Sequence, residues 1–306
     1  MPLKILITGA TGFIGTALVS KLRSEGHDLV ILTRDPVRAQ KKLGDQVTIH
    51  RHSISERELD ELIGSSDAVV NLAGEPVIGK RWTADQKKKI LNSRVQLTGR
   101  LARSIQESDD PPAVFLSASA VGYYGDTGTR EVTSTDDPGS DFLADVCIKW
   151  ESAALQAASD RVRVVIPRIG MVLGKGGGAL AKMITPFRLG LGGPIGSGRQ
   201  FVSWIHVHDL VQLMLTALTD DRYRGAFNAT APGPVIFSDF ARALGAAVHR
   251  PAILPVPEFA IRMLFGEAAE ILLTGQNVIP HRALENGFDF EFETVKSALH
   301  ELLGER

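Results

Sequence analysis

The chain has 306 residues, 44% of them hydrophobic and 23% charged, with a formal net charge of −1, the profile of an ordinary soluble globular protein. Near-neutral charge excludes the basic footprint of a nucleic-acid or anionic-membrane binder, and a single cysteine, Cys147, excludes an intrachain disulfide framework and a multi-thiolate metal site. No apolar run reaches the roughly 18 to 20 residues that span a bilayer, the first segment reads as a core strand rather than a signal peptide, and a cytoplasmic location is expected.

Residues 3–8 form an apolar run that reads as a buried strand, and it feeds Gly9-Ala10-Thr11-Gly12-Phe13-Ile14-Gly15 directly. Helical periodicity follows over 16–25. Glycines at this spacing let the backbone turn tightly, approach a pyrophosphate and set it on the positive end of a helix. The strand-before, helix-after context is what separates this motif from an ordinary turn. Further strand-like runs at 28–33, 47–52, 67–72, 113–117 and 163–167 alternate with helical stretches near 55–63, 83–107 and 141–158. That alternation predicts an α/β fold, a doubly wound parallel sheet of the Rossmann type with right-handed crossovers.

Composition changes after Arg168. Segments 174–178 and 190–198 are glycine-rich and suit loops that pack over a ligand. Residues 204–218 return to a strand–helix pattern, 226–230 read as a strand, and helical segments are expected near 258–273 and 294–303. The predicted division is a dinucleotide-binding domain over 1–175, with strands from about 200–230 returning to it. A smaller, mainly C-terminal substrate lobe takes 176–199 and 231–306.

Within this frame Gly9, Thr11, Gly12, Phe13, Ile14 and Gly15 are the expected pyrophosphate contacts. The second strand ends Ile31-Leu32-Thr33-Arg34. An acidic residue there would bind the ribose hydroxyls of NAD, whereas an arginine neutralises the 2′-phosphate of NADP. Thr33 occupies the acidic position and Arg34 follows, with Arg38 as a second cation, so NADP(H) is the expected cofactor; the adjacent Asp35 argues the other way. Asn71, Ala73 and Gly74 close the fourth strand, where small residues let a cofactor lie along the strand ends.

The motifs TGATGFIG, NLAG, SASAVGYYG (117–125), PRIGMVLG (167–174), WIHVHDLV (204–211) and FNATAP (227–232) together resemble the extended short-chain dehydrogenase/reductase superfamily. The segments GEPVIGKRW, FLADVCIKWE and IPHRALENGFDF are similar to an atypical "epimerase family" branch, whose members are labelled sugar-nucleotide epimerases or cell-division inhibitors. The resemblance implies chemistry by a serine, a tyrosine and a lysine beside a nicotinamide. It puts Ser119 at the serine position, with Ser117 as the alternative, and counts Ser117, Pro167 and Arg168 with the cofactor contacts. Aligned on Glu151, the tyrosine position holds Leu143 and the lysine position holds Cys147. Lys149 is about 200° around the helix from Cys147 and should face elsewhere. Tyr124 matches the family's Tyr-Gly pair and is the candidate replacement proton donor, with Tyr123 and Tyr124 as mere pocket wall the alternative.

His206 and His208 lack a third ligand, so no metal is expected. Asp209 is read as a cap for the helix that follows, Arg168 or Arg199 as a partner for a substrate phosphate or carboxylate, and Glu75, Lys80, Arg81 and Trp82 as shapers of the cleft. Two functions stand: an NADP-dependent oxidoreductase or epimerase acting on a polar small molecule, with a nucleotide sugar as one candidate, or a cofactor-binding regulator or scaffold with little turnover. A small-molecule substrate is the expected partner, nucleic acid and membrane are not, and the resemblance allows a homodimer.

Overall fold

The computed structural model describes residues 2–304. Seven parallel strands build the main sheet: β1 (Lys4–Thr8), β2 (Asp28–Thr33), β3 (Thr48–Arg51), β4 (Ala68–Asn71), β5 (Val114–Ser117), β6 (Arg163–Ile169) and β7 (Gly225–Ala229). Their spatial order is β7-β6-β5-β4-β1-β2-β3, and Ser119–Ala120 adds a short eighth strand beside β6. Strand order reverses between β1 and β4, which places the switch point, and the crevice above it, at the glycine turn that leaves β1.

Alternation along each strand sorts the side chains onto two helical layers. Ile5, Ile7, Leu29, Ile31 and Val70 face Leu18, Leu22, Leu210 and Met214. Those partners come from α1 (Phe13–Ser24) and α7 (Val207–Thr219). Leu6, Val30, Val69 and Phe115 face Leu59, Leu97, Leu101 and Ala154 on the other side. These belong to α3 (Glu56–Gly64), α4 (Ala84–Glu107) and α5 (Phe142–Leu155). Burial on both faces is why the strands read as continuous apolar runs rather than alternating ones.

Local chemistry fixes the helix starts. Ser55 and Glu58 form a capping box on α3, Thr83 caps α4, and Asp141 caps α5 by accepting from the Ala144 N–H. The structure adds helices that the reading of the sequence passed over: α2 (Pro36–Leu43), α6 (Gly178–Arg188) and α8 (Phe237–Ala247). A third core, with Leu180, Phe187, Trp204, Phe237, Phe240, Leu299 and Leu302, joins α6 and α8 to the helix Val295–Leu303.

Asp209 does not cap α7. His206 does, its Nδ1 accepting from the His208 N–H, while Asp209 sits inside the first turn. The buried Asp209 carboxylate instead accepts the N–H groups of Glu291 and Phe292, each at 3.0 Å, and so ties the C-terminal segment to the sheet domain.

Candidate active site

The turn after β1 is built to leave donors free. Gly12 is the N-cap of α1 and offers no side-chain acceptor, and the first turn carries no acidic residue, so the helix end presents unpaired N–H groups and a positive dipole. Gly9 has φ +73°, and a Cβ on it would stand 2.6 Å from the Leu72 carbonyl carbon at the end of β4. A Cβ on Gly15 would come 2.7 Å from Ala10 Cα, so only glycine lets α1 pack this close to its own loop. The Lys42 ammonium donates to the Thr11 carbonyl at 2.7 Å and holds the turn from α2. Phe13 is covered by the glycine-rich stretch after β6, where a Cβ on Gly177 would run into the Phe13 ring. This cradle fits a dinucleotide pyrophosphate.

At the end of β2, Thr33 is half-buried and Arg34 is exposed. Asp35, the residue that argued for NAD, is committed elsewhere: it is the N-cap of α2, its carboxylate accepting from the Arg38 N–H at 3.0 Å. Burial, then Arg100 and Arg34, hold His52 below the usual imidazole range. The Lys80 ammonium holds Glu75 below the usual carboxylate range, with Gln86 and Arg34 adding to it.

Beneath the crevice lies a floor of closed hydrogen bonds. Asn71 is fully buried; its Oδ1 accepts from Thr8 at 2.6 Å and its Nδ2 donates to Thr98 at 2.8 Å and Ser117 at 3.1 Å. The Trp150 indole also donates to Thr98. The side chains of Asn71 and Ser117 thus pin the ends of β1, β4 and β5 to α4 and α5. Pro167, buried in β6, faces a gap in the ladder: pairing of β5 with β6 stops after Leu116 and Val165 and resumes at Ser119 and Arg168. A proline has no N–H to give there.

Ser119 opens a second buried network. Its Oγ donates to Glu151 at 2.6 Å. Arg168 grips the same carboxylate in a two-pronged ion pair, Nε to Oε1 and Nη2 to Oε2, both 2.9 Å. Its Nη1 donates to the Tyr124 hydroxyl at 2.9 Å and to the Ser134 carbonyl at 3.2 Å, and its guanidinium carbon lies 3.4 Å from the centre of the Tyr123 ring. Tyr124 in turn donates to Asn228 at 2.5 Å, and Asn228 donates to the Ile279 carbonyl.

This geometry revises two expectations. The Tyr124 hydroxyl is enclosed, the residue being 3% exposed, and burial pushes its pKa up against the pull of Arg168. With its pKa raised it is a poor acid or base near neutral pH. Arg168 spends four hydrogen bonds inside the protein, which leaves its charge balanced by Glu151 rather than directed at a ligand.

The α5 positions behave as small packing residues. Leu143 lies against Gly122, and Lys149 turns outward to pair with Asp145 at 2.7 Å. Cys147 is 4% exposed, with its thiol 3.7 Å from the Ala120 carbonyl. Burial, helped by the Glu151 carboxylate, pushes its pKa up to about 11. Because the thiolate is the reactive form, a disulfide reagent at pH 8 should label folded protein at least about 100-fold more slowly than protein in urea. Equally fast labelling of the folded form would contradict the burial.

The remaining candidates fall around the rim. Lys80 pairs with Glu75 at 2.8 Å, Trp82 packs edge-on against Phe142, and Arg81 reaches the Met263 and Leu264 carbonyls, so the segment after β4 spans from α5 to the C-terminal lobe. His208 pairs with Glu291 at 3.0 Å and His206 is buried on Phe292. Arg199 is exposed. One residue was missed. Arg94 lies four residues after Ile90 and three before Leu97 on the buried stripe of α4, and an arginine on an apolar stripe is the signal that could have marked it.

A parallel sheet in this order, with a glycine turn at its switch point and a buried serine beside α5, defines a dinucleotide-fold protein of the short-chain reductase kind. The chain belongs to the NAD dependent epimerase/dehydratase family, whose model matches residues 5–229. A domain of unknown function matches residues 256–302. The chain is 45% identical over 301 residues to the chloroplastic "Epimerase family protein SDR39U1 homolog" of Arabidopsis thaliana, covering 98% of this chain and 86% of that protein. It is 36% identical to the epimerase family protein YfhF of Bacillus subtilis, covering 99% of each. The crystal structure of human SDR39U1 (isoform 2) with NADPH superposes with a TM-score of 0.88 at 38% identity, covering 98% of this chain and 99% of that one. Among the described residues no helix is long and apolar enough to cross a membrane.

Proposed function

We propose that the protein binds NADP(H) and acts as an oxidoreductase or epimerase on a polar small molecule held between the sheet domain and the C-terminal lobe. The observation that carries the cofactor is Arg34, exposed at the end of β2 while the neighbouring Asp35 is consumed as a helix cap. The relative bound to NADPH supports the same choice. The residues that would hold the dinucleotide are the free N–H groups of 13–15 at the pyrophosphate, Thr33 and Arg34 at the adenosine ribose, and Ala73 and Gly74 along the strand ends. A bound nicotinamide supplies or accepts hydride.

The chain's own contribution centres on Ser119. With its proton held by Glu151, Ser119 Oγ offers lone pairs that accept a hydrogen bond from a substrate hydroxyl and orient it. Tyr124 holds Arg168 and Asn228 in place, and the proton exchanged with substrate comes from solvent. A nucleotide sugar is the first substrate class to test. A second reading, a cofactor-binding protein without turnover, is supported by the alignment on Glu151, which sets Leu143 and Cys147 against the family's tyrosine and lysine. A cytoplasmic location and a homodimer belong to the same proposal.

The deciding experiment follows NADPH consumption with a panel of carbonyl compounds and nucleotide sugars. Turnover that falls at least about tenfold in Ser119→Ala, the loss of one oriented hydrogen bond, supports the enzyme. Tight NADPH binding with no turnover anywhere in the panel supports the second reading instead.

A further inference from the structure

Replacement of the superfamily's lysine by Cys147 removes a cation from the nicotinamide side of the cleft. Another cation stands beside that position. The Arg94 guanidinium carbon lies 5.1 Å from the centre of the Trp150 ring, and Trp150 is one helical turn beyond Cys147 on the same buried face of α5. Nη1 of Arg94 donates to the Ile90 carbonyl at 3.1 Å and to the Glu75 carbonyl at 3.0 Å. A Cβ on Gly74 would sit 3.0 Å from its guanidinium carbon, so the group lies directly under the backbone that leaves β4. It is therefore wedged between the end of β4 and α5.

What Arg94 lacks is as telling as what it holds. Among the described residues, no carboxylate lies within ion-pair distance of it, and its Nε and Nη2 make no hydrogen bond within the protein. The side chain of Glu75, whose backbone carbonyl Arg94 holds, is taken by Lys80. Arg94 is half-buried, and burial holds its pKa below the usual arginine range. A strut between Glu75 and α4 needs only Nη1. The unspent N–H groups are open to water and free to meet an acceptor from outside the chain.

We infer that Arg94 does the ribose-holding work that Cys147 cannot, donating its free N–H groups to the hydroxyls of the nicotinamide-side ribose. This rests on the NADP(H) reading above. Arg94 cannot act as a base, since a guanidinium keeps its proton throughout the working pH range, so it replaces the binding role of the lysine and not its proton chemistry.

The test compares two probes by calorimetric titration. NADPH carries both riboses, whereas adenosine 2′,5′-bisphosphate carries the adenosine half and the 2′-phosphate alone. Arg94→Gln should weaken NADPH about tenfold, the worth of one hydrogen bond to a charged group, and leave the bisphosphate within about twofold, which also reports an intact fold. Arg94→Lys, which keeps the charge, should recover part of the loss. Unchanged NADPH affinity in Arg94→Gln overturns the inference, and so does an equal loss for both probes, which marks a structural strut. Wild-type protein that binds neither probe overturns the NADP(H) reading and this inference with it.

Discussion

Replacing Arg168 with methionine should destabilise the protein by about 3–5 kcal/mol, the cost of removing one partner from a buried ion pair. Arg168 is 4% exposed and Glu151 7%, so the carboxylate left behind has no route to solvent. It would keep only the Ser119 hydroxyl, and Tyr124 would lose one of its two partners. The double variant Arg168→Met/Glu151→Leu removes both charges and should recover much of the loss, since a well-packed apolar pair often replaces a buried ion pair at little cost. Chemical denaturation of the wild type, both single variants and the double closes the cycle. A loss below about 1 kcal/mol in Arg168→Met, or a double variant worse than the sum of the singles, would show that the pair does not hold this corner of the fold.

The second large effect is on cofactor choice. Arg34→Ala should weaken NADPH by about 10- to 100-fold, the range of a charge-assisted hydrogen bond to phosphate, and change NADH by less than about twofold. The selectivity follows from geometry. Arg34 is exposed at the β2 end and makes no hydrogen bond or ion pair within the described residues, so its removal should leave the fold intact. Asp35 offers no competing carboxylate, because the Arg38 N–H holds it at the start of α2. Equal weakening of both nucleotides would remove the 2′-phosphate from the account.

The sheet and the cofactor turn were legible because their determinants are local. Strands buried on both faces give continuous apolar runs, and the glycine turn sits between two such signals within a dozen residues. Where signals were weaker, the reading lost elements. The polar α2 hides behind Pro36, and α6 begins in a glycine run and carries Pro186. By contrast α8 does carry a helical apolar pattern at Phe237, Phe240, Ala241 and Leu244, which was available and passed over.

The site was legible only in part, for the same reason. The resemblance aligns Leu143 and Cys147 with the family's tyrosine and lysine positions, and Lys149 does face away. The network from Ser119 through Glu151, Arg168 and Tyr124 to Asn228 joins residues 17 to 104 positions apart. No spacing announces such partners. Hence Tyr124 read as a proton donor and Arg168 as a ligand contact, when each is held inside the protein by the other. Asp209 was misassigned likewise, because its acceptors' partners lie some 80 residues on, at Glu291 and Phe292.

The central claim is that a glycine turn at the switch point, with a free arginine at the β2 end, holds a phosphorylated dinucleotide. Titrating the wild-type protein with NADPH and NADH side by side in the same low-salt buffer tests it most directly. NADPH should bind at least about tenfold more tightly, the worth of one charge-assisted contact. Equal affinities, or tighter binding of NADH, would contradict it.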